Sequence, residues 1–518
     1  MASESGSSVR IERALLSVDD KSGLETLGRE LHALGIELWA TGGTRAALSS
    51  AGIPAHAAEE LTGIGAWFGG RVKTLHPGLL GGILAPRTEE GRRELTERGL
   101  LAFDLVVVNF YPFERHVAEA PDSTDREEYV DIGGITLARA AAKNHAGVTV
   151  ATDPSEYAPL LGELREQGGA ISAETRRGQA REAFRRVAEY DAAIAADLFA
   201  PRVGDDPFPG VILLRREPIR LRYGENPHQR AAVYRAGAGF RPRTYEVLKG
   251  DSLSYTNLLD VDTALEIVSE FPLPAAAVVK HATPCGVAEG STVREALERA
   301  VATDPVARFG CAIAVNRPLT DGDPAALHGV FVDLLAAPEI SSEARTALDK
   351  RPKLKLVRTA PPDPERPRWE ARSTFGRVLV QEADRRQLAP GEMRPVTSHR
   401  ASPEQLCSLD FAWRVVRHAK SNAIVLSQGP ATVGIGSGQP TRVKAVELAC
   451  EVAGDRARGS VLASDAFFPF PDGMELAGKA GVVAALQPGG SIRDSEVIAA
   501  AEAAGIAMYF TGWRVFRH

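Results

Sequence analysis

The chain has 518 residues, with 61 lysines and arginines against 67 aspartates and glutamates, so its formal net charge is −6. This length predicts about three domains, and the lack of a basic excess argues against a general nucleic-acid binder. The N-terminus lacks the apolar core of a secretory signal and no run reaches the roughly 18–20 apolar residues of a membrane span, so we expect a cytoplasmic protein.

The first part of the chain alternates short apolar runs with helical patterns. Strands are predicted at 14–18, 36–40, 105–108 and 148–151, and a helix at 21–34. Such alternation is typical of an open α/β sheet of mostly parallel strands, which binds ligands at the carboxyl ends of its strands.

A long helix is predicted at 174–199, and a cluster of proline, glycine and aspartate follows it at 201–209. Such clusters punctuate chains between compact units, which predicts one domain at 1–203 and another at 204–518.

The second domain also reads as α/β. Helices are predicted near 474–480 and 494–503, and strand candidates lie at 275–280, 312–315, 330–335, 423–426, 432–435, 461–463, 482–486 and 506–510. A stretch rich in proline, arginine and aspartate at 361–372 predicts a surface loop or linker, with two subdomains split near 361–400.

Polar segments follow the predicted strands of the first domain. The Thr-Gly-Gly-Thr run at 41–44 lies between a strand and a helix, where unpaired N–H groups can bind phosphate. A tight turn with an N-cap explains the same run equally well.

The run at 71–77 combines two cations, a hydroxyl and an imidazole among glycines, which fits either a solvated loop or a close approach to a ligand. The segments at 109–113, 131–134 and 141–145 would form an acid–base set if their lysine, tyrosine and aspartate converged on one sheet edge.

In the second domain the strand at 275–280 ends in Lys280 and His281, with a polar turn beyond. A neighbouring ammonium disfavours the imidazolium, so the ring can accept a proton near pH 7. The alternative is a structural histidine. The donor-rich stretch at 221–229 is either a binding segment or a turn-rich surface loop.

A metal site is not expected. His281 followed by Pro284 and Cys285 faintly resembles zinc deaminases, but no glutamate follows the histidine by two residues and no second cysteine follows Cys285 by three. The four cysteines are widely separated, without C-x-x-C spacing, which indicates neither a zinc knuckle nor a redox dithiol. They are Cys285, Cys311, Cys407 and Cys450.

Taken together, these stretches resemble the bifunctional purine biosynthesis family, which has formyltransferase and inosine monophosphate (IMP) cyclohydrolase activities. The resemblance covers nearly the whole chain, from 17–21 to 514–518. Its most specific segments are 71–77, 221–229, 280–284, 420–423, 434–439 and 464–470.

The resemblance implies an N-terminal methylglyoxal-synthase-like open parallel sheet that performs the cyclohydrolase step. It implies a C-terminal pair of cytidine-deaminase-like α/β subdomains without zinc, which transfer a formyl group from 10-formyltetrahydrofolate. It also implies a homodimer with the transferase sites at the subunit interface.

The same resemblance assigns residues to each site. In the first domain it places Lys73, Tyr111, Asp131 and Lys143 closest to the chemistry, and the nucleotide on Asp20, Lys21, Thr41, Gly42, Gly43, Thr44, Arg71, Thr74, Asn109 and Ile132. In the second domain it gives His281 as base, with Lys280 and Asn422 as donors. The ribonucleotide would lie on Arg222, Tyr223, Gly310, Asp333, Asn422, Arg442 and Arg514, and the folate near Phe467, Asp472 and Ser491.

Some positions depart from the family pattern: Asp19, the Ala-Arg pair at 307–308, Cys311 and Pro471. None of them is one of the expected catalytic residues, so activity is still predicted. Two alternatives stay open at this stage: a phosphate-sensing N-terminal module, or a protein that keeps only one of the two activities.

Overall fold

The structure is a computed structural model that describes residues 8–65, 67–68, 72, 74–120, 123–199, 208, 211–212, 214–236, 244–362, 369–389 and 391–518. The chain divides into two compact units, Met1–Leu213 and Leu214–His518. Across the described ranges, no helix combines the length and apolar character that crossing a membrane requires.

The strands of the first unit are β1 (Val9–Arg10), β2 (Arg13–Ser17), β3 (Glu37–Ala40), β4 (His56–Ala57), β5 (Leu105–Val108), β6 (Thr149–Ala151) and β7 (Ala170–Ile171). Its helices are α1 (Leu24–Ala33), α2 (Gly42–Ser50), α3 (Ala58–Thr62), α4 (Pro77–Leu84), α5 (Glu89–Glu97), α6 (Phe113–Glu119), α7 (Gly133–Lys143), α8 (Tyr157–Glu166) and α9 (Ala173–Leu198). Short 3-10 turns lie at Arg126–Tyr129 and Pro154–Glu156.

The main sheet of this unit has the order β4-β3-β2-β5-β6 in the described residues, and each neighbouring pair is parallel. Every residue of β5 is fully buried, because apolar clusters cover both faces of the sheet. Parallel strands buried on both faces appear in the sequence as continuous apolar runs. The predicted bounds of β2, β3, β5 and β6 are therefore correct to within about two residues. All five carboxyl ends meet at one edge.

In the second unit the strands are β8 (Leu214–Arg216), β9 (Tyr234–Ala236), β10 (Glu246–Lys249), β11 (Ala275–Lys280), β12 (Thr283–Glu289), β13 (Cys311–Val315), β14 (Val332–Ala337), β15 (Lys355–Arg358), β16 (Trp369–Thr374), β17 (Arg377–Glu382), β18 (Arg394–Pro395), β19 (Ile424–Gln428), β20 (Ala431–Gly436), β21 (Val461–Ser464), β22 (Ala484–Gln487) and β23 (Ala507–Phe510). The helices are α10 (Tyr255–Ser269), α11 (Val293–Ala302), α12 (Ser342–Asp349), α13 (Pro403–Val416), α14 (Arg442–Ala453), α15 (Asp472–Ala480) and α16 (Asp494–Ala504). Further 3-10 turns occupy Asp323–Leu327 and Gly454–Ala457.

Within the described part of this unit, twelve strands form one mixed sheet that consists of two copies of a single pattern. The first half has the order β12-β11-β13-β14-β15-β10 and the second half β20-β19-β21-β22-β23-β18. Each half joins an antiparallel hairpin to three mutually parallel strands, and β12 meets β20 where Ala288 lies opposite Ala431. The two halves therefore share one continuous sheet.

Helices cover both faces of this sheet. One apolar cluster includes α10 and α13 against alternate strand residues, such as Ala275, Ala277 and Val279 of β11. The intervening residues Ala276 and Val278 face a second cluster, which includes α11 and α12. A third cluster packs α14, α15 and α16 against the second half. The sheet edges are therefore where loops and strand ends can present polar side chains.

Two expectations for this unit were wrong in part. The turn expected after Lys280 has only two residues, because β12 begins at Thr283 and pairs directly with β11. The loop expected at 361–372 gives way to β16 at Trp369, which forms a hairpin with β17. Residues 363–368 of that stretch lie outside the described residues.

Candidate active sites

The loops after β2 and β3 are tied together at the carboxyl edge of the first sheet. Thr44 Oγ1 accepts from the N–H of Val18 over 3.0 Å and donates to the carbonyl of Val18 over 3.1 Å. Thr41 Oγ1 donates to Ser17 Oγ over 3.1 Å. Because Thr41 and Thr44 are buried, their hydroxyls organise the turn and do not face solvent.

The helix start at 41–44 keeps its backbone donors available. α2 begins at Gly42, and no side chain caps its first N–H groups. A Cβ added to Gly43 would meet nothing within 4 Å. Free N–H groups at the positive end of a helix, beside open space, form a suitable binding position for phosphate.

Asn109 fixes the loop between β2 and α1. Its Oδ1 accepts from the N–H groups of Asp19 and Asp20, and its Nδ2 donates to the carbonyl of Asp20 over 2.9 Å. Lys21 Nζ donates to the carbonyls of Val18 and Asp19, so its charge is held at the end of β2. Three of the residues expected at the nucleotide site, Asp20, Lys21 and Asn109, therefore meet at this edge.

Asp131 is a buried carboxylate at the start of α7. Its Oδ1 accepts from the N–H of Gly134 over 2.7 Å, and its Oδ2 from the N–H of Tyr111 over 3.4 Å. Burial raises the pKa of Asp131, and these hydrogen bonds lower it by less. Burial and the charge of Asp131 also raise the pKa of Tyr111, so its half-exposed hydroxyl stays protonated at neutral pH.

Thr74 and the glycines of α7 pack closely around this carboxylate. A Cβ on Gly133 would lie 2.4 Å from Thr74 Oγ1, and a Cβ on Gly134 would lie 2.5 Å from the Asp131 carboxylate. Only glycine allows this approach. Ile132, between Asp131 and Gly133, is exposed and faces solvent.

Lys143 does not join this group. It is the last residue of α7, and a helix of eleven residues separates its backbone from Gly133 by about 15 Å. The segments at 131–134 and 141–145 therefore lie at opposite ends of one helix, and the role expected for Lys143 stays a prediction. Arg71 and Lys73 lie outside the described residues.

His281 and Ala282 form the two-residue turn between β11 and β12, where Lys280 pairs with Thr283. Their φ angles are 54° and 52°. A hairpin turn with two positive φ values normally takes Asn-Gly, because a Cβ is strained there. Strained non-glycine residues concentrate at functional sites, where surrounding structure holds them.

The equivalent turn of the second half provides a comparison. Gln428 pairs with Ala431 around a two-residue loop, and its first residue, Gly429, has a φ of 57°. The positive φ at the first turn position is thus taken by glycine in one half and by histidine in the other, whereas the second positions differ, since Pro430 cannot adopt the positive φ of Ala282. Folding alone does not require the histidine.

Polar contacts hold the strained turn in place. The N–H of Ala282 donates to Asp260 Oδ1 over 2.6 Å, and Lys280 Nζ donates to the carbonyl of Phe309 over 2.9 Å. The side chain of His281 is exposed beside them. Burial raises the pKa of Asp260. The imidazole therefore faces outward, not into the core.

The first half supplies more of the expected nucleotide residues. Gly310 has a φ of 73°, which favours glycine, and its N–H donates to the carbonyl of Phe331 over 2.7 Å. Asp333 accepts from Asn257 Nδ2 and from Lys355 Nζ, each over 2.7 Å. Earlier in the chain, the Arg222 guanidinium lies 5.4 Å from the centre of the Tyr223 ring.

Asn422, Arg442 and Asp465 form a buried polar network in the second half. Arg442 Nη2 donates to Asn422 Oδ1 over 2.7 Å, and Arg442 Nη1 forms an ion pair with Asp465. Asn422 Nδ2 donates to the carbonyl of Gln439 over 2.8 Å. Because the Arg442 side chain is only 5% exposed, it orients Asn422 in addition to any contact with a ligand.

The expected folate residues lie after β21 and β22. Phe467 is 40% exposed, Asp472 begins α15, and the Ser491 hydroxyl accepts from the N–H of Arg493 over 3.1 Å. The Arg493 guanidinium lies 4.8 Å from the centre of the exposed Phe470 ring. Aromatic faces beside a guanidinium suit a flat, anionic molecule.

The strand pairing places His281, Asn422 and the expected folate residues along one edge of the sheet, but it spreads them across the width of that edge. β11 ends, β13, β14 and β19 begin, and β21, β22 and β23 end at this edge. Five strand spacings separate β11 from β22, or about 24 Å across the sheet.

Residues 141–452 match the family described as the AICARFT/IMPCHase bienzyme, and residues 23–136 match the MGS-like domain. A relative from Desulfitobacterium hafniense is 46% identical over 516 residues, which is 98% of this chain and 99% of the relative. The chain belongs to the AICARFT/IMPCHase bienzyme family. The resemblance inferred from the sequence motifs is confirmed, as are the methylglyoxal-synthase-like first domain and the α/β character of the second.

The relative from Desulfitobacterium hafniense and two others are each named bifunctional purine biosynthesis protein PurH. The one from Rhodospirillum rubrum is 44% identical over 525 residues, covering 99% of each chain. The one from Chloroflexus aurantiacus is 46% identical over 519 residues, covering 98% of this chain and 99% of its own. The solved structure of ForH is 38% identical and covers 36% of this chain and 99% of its own; its TM-score of 0.33 is too low to compare folds.

Sequence reasoning missed several residues around the bienzyme's sites. Asp260 holds the turn, but an isolated aspartate within a helix gives no sequence signal. Asp465 lies in the motif at 464–470, yet its contact with Arg442, which orients Asn422, was not foreseen. Tyr190 of α9 contacts the backbone of Asp131 over 2.8 Å from 59 residues away. The described residues contain no cluster of three or more histidines, cysteines, aspartates or glutamates able to hold a metal.

A cavity of about 350 Å³ beside α10 and the β16–β17 hairpin was also not foreseen. Arg514, expected on the nucleotide, lines it together with Glu270 and His418. His418 Nδ1 lies 3.5 Å from Arg517 Nη1, and its Nε2 lies 3.2 Å from Glu270 Oε1. A guanidinium only donates, so Nδ1 accepts and Nε2–H donates to the carboxylate. Arg417 also pairs with Glu270, over 3.3 Å.

Proposed function

We propose that this bienzyme transfers the formyl group of 10-formyltetrahydrofolate to 5-aminoimidazole-4-carboxamide ribonucleotide and then closes the product to IMP. Membership of the family over nearly the full chain supports both steps. The observation that carries the first step is the strained His281–Ala282 turn, which presents an imidazole where glycine would fold more easily. The cytoplasmic location stays a prediction.

For formyl transfer we assign His281 as the general base. The weak aromatic amine attacks the formyl carbon, and His281 takes its proton as the new C–N bond forms, an effect of about 100- to 10,000-fold. The bond to the folate N10 then breaks, and the same proton passes to that nitrogen. The exposed imidazole beside the bound ammonium of Lys280 supports this role.

The tetrahedral oxyanion formed in this step needs fixed donors. Lys280 and Asn422 are proposed to supply them. Lys280 donates one N–H to the carbonyl of Phe309, and Asn422 donates one to the carbonyl of Gln439. Each side chain has at least one further N–H that can donate to a ligand. Phe467, Asp472 and Ser491 are proposed at the folate. Arg222, Tyr223, Gly310, Asp333, Arg442 and Arg514 are proposed at the ribonucleotide.

Ring closure is intramolecular, so holding the formyl group against the carboxamide nitrogen removes much of the barrier. We propose that Asp131 orients the carboxamide and that Tyr111 donates a proton as water leaves. The raised pKa of Tyr111 supports a donor role, because its hydroxyl keeps the proton at neutral pH. Lys73 and Arg71 are proposed to offset negative charge.

The nucleotide of this step is proposed to bind at the carboxyl edge of the first sheet. The uncapped start of α2 supports a phosphate there, contacted by Thr41, Gly42, Gly43 and Thr44. Asp20, Lys21, Thr74, Asn109 and Ile132 complete the proposed set. Lys143 is proposed from the family resemblance alone. A Lys143→Ala enzyme that cyclises formylated nucleotide at the full rate would remove it from the mechanism.

We also propose that the enzyme acts as a homodimer with shared transferase sites. Within one copy, Phe467 and Asp472 follow β21, four strand spacings or about 19 Å from β11, and Ser491 follows β22, five spacings or about 24 Å away, so one formyl group does not span both sets. A second copy can bring the two sets together across a two-fold interface. Mixing inactive His281→Ala and Asn422→Ala enzymes should restore about a quarter of the transferase activity, since half the dimers are mixed and each has one intact site. No recovery after subunit exchange would contradict the shared site.

The decisive experiment is incubation of the purified enzyme with the aminoimidazole ribonucleotide and 10-formyltetrahydrofolate, with IMP as the readout. His281→Ala should abolish transfer and leave cyclisation of added formylated nucleotide intact, whereas Asp131→Asn should do the reverse. A wild-type enzyme that performs only one of these steps would support the single-activity alternative. A wild-type enzyme that performs neither would reject the proposed function.

A further inference from the structure

The segment that carries Asp131 is attached to the long helix α9 at two points. The hydroxyl of Tyr190 accepts from the N–H of Asp131 over 2.8 Å and donates to the carbonyl of Tyr129 over 3.1 Å. Arg126 Nη1 donates to both oxygens of Asp197, over 2.8 and 3.0 Å. The two helix residues are seven positions apart, or about two turns, so they lie on one face of α9.

The tyrosine is rigidly held. Its ring packs 5.4 Å from the ring of Phe110 and 6.4 Å from that of Phe113, both within two residues of Tyr111. Burial raises the pKa of Tyr190 to about 12, so the hydroxyl remains able to donate and accept at once. One phenol therefore connects the loops that carry Tyr111 and Asp131.

We propose that Tyr190 is a positioning residue for ring closure, and that α9 fixes Asp131 through Tyr190 and the Arg126–Asp197 ion pair. This inference rests on the proposed role of Asp131 in cyclisation. The Asp131 carboxylate accepts from the N–H groups of Gly134 and Tyr111. The backbone N–H of Asp131 donates to the Tyr190 hydroxyl, which helps to hold residue 131 in position. Losing that contact would let residue 131 shift away from both donors.

The test is Tyr190→Phe in the full-length enzyme, with both reactions assayed on the same preparation. We expect kcat for cyclisation to fall about tenfold, the cost of one hydrogen bond that holds a reacting group in place, with formyl transfer unchanged. A circular dichroism spectrum and thermal unfolding like those of wild type show that the first unit is folded, because transfer reports only on the second unit. Asp197→Asn should lower cyclisation by a smaller factor, about threefold, because the ion pair is partly exposed.

The pH dependence separates positioning from simple loss of folded enzyme. If Asp131 drifts from its N–H donors, its ionised form loses stabilisation, so its pKa rises and the acidic limb of the kcat profile moves to higher pH. Loss of active enzyme lowers the whole profile without moving it. Tyr129→Phe is the matched control, since the structure gives no hydrogen bond to that hydroxyl among the described residues, and it should cyclise within twofold of wild type.

The outcomes distinguish the two proposals. If Asp131→Asn cyclises at the wild-type rate, the proposed role of Asp131 fails. If Asp131→Asn is inactive while Tyr190→Phe keeps both its rate and its pH profile, the role of α9 fails and that of Asp131 stands.

Discussion

Arg442 donates Nη2 to Asn422 Oδ1 over 2.7 Å and pairs through Nη1 with the fully buried Asp465. An arginine expected at the nucleotide is therefore also the residue that orients a proposed oxyanion donor. Asp465 in turn accepts from the N–H of Ala423 over 3.0 Å, which fixes the backbone next to that asparagine. The Arg442 guanidinium therefore connects the proposed nucleotide contact to the orientation of Asn422.

Asp465→Asn should destabilise the protein by about 3–5 kcal/mol, because it leaves the buried charge of Arg442 without its partner. Denaturant unfolding followed by circular dichroism measures this loss. Glu298→Gln breaks the exposed Arg294–Glu298 pair of α11 and should leave the free energy of unfolding unchanged. Equal effects of the two changes would contradict a structural role for the buried pair.

Ala282→Gly should raise the free energy of unfolding by about 1 kcal/mol, since glycine adopts a φ of 52° without steric strain. Formyl transfer should persist, because the His281 side chain is untouched. Chemical denaturation and a transferase assay on one preparation test both points. A less stable variant would show that the turn is not strained at this position.

Acid should destabilise the second unit through Glu270 and His418. Although burial opposes its ionisation, the hydrogen bond from His418 and the charge of Arg417 lower the pKa of Glu270 to about 2. Burial also lowers the pKa of His418. Both pKa values lie below those of the unfolded chain, so the stability they contribute is present above pH about 4.5 for Glu270 and above pH about 6.5 for His418, and it is lost as pH falls. Glu270 alone accounts for about 3 kcal/mol.

The Glu270→Gln variant isolates this contribution. Its unfolding free energy should fall less than that of wild type between pH 5 and pH 3, as measured by urea titration at each pH. Parallel losses in the two proteins over this interval would contradict the lowered pKa.

Asn109→Asp should weaken IMP binding to the first domain at least about tenfold. The new carboxylate can still accept from the N–H of Asp20, but it has no N–H for the carbonyl of Asp20, so two oxygens repel where one hydrogen bond was. Isothermal titration with IMP tests this. Asn226→Asp, in the second unit, should leave this affinity unchanged. Unaltered binding by Asn109→Asp would show that the loop does not contact the nucleotide.

The central strands of both sheets were predictable because most are buried on both faces, whereas short or exposed strands such as β4, β8 and β16 were not predicted. β5 and β11 have the bounds that their apolar runs predicted, and the long helix α9 differs by one residue at each end. β12 was missed because its polar start, Thr283 and Pro284, reads as a turn. The hydrophobic periodicity of a sequence predicts that a strand is present, but it does not predict which residues form the turn of a hairpin.

The site was predictable wherever residues lie close in sequence, and less so wherever contacts are distant. The segment at 41–44 could be placed from a strand followed by a helix. The contact of Tyr190 with Asp131 spans 59 residues and leaves no pattern in one sequence. Lys143 lies at the far end of α7 from Asp131, and its catalytic role stays a prediction.

The repeated hairpin offers a route to separate folding from catalysis in this enzyme. Exchanging His281 alone for glycine, the residue at the first position of the equivalent turn, would keep the positive φ there and the hydrogen bond from the Ala282 N–H to Asp260. Such a chain should fold normally but lack formyl transfer. In cells it would show how much of the purine supply depends on the transferase reaction and how much on the presence of the folded protein.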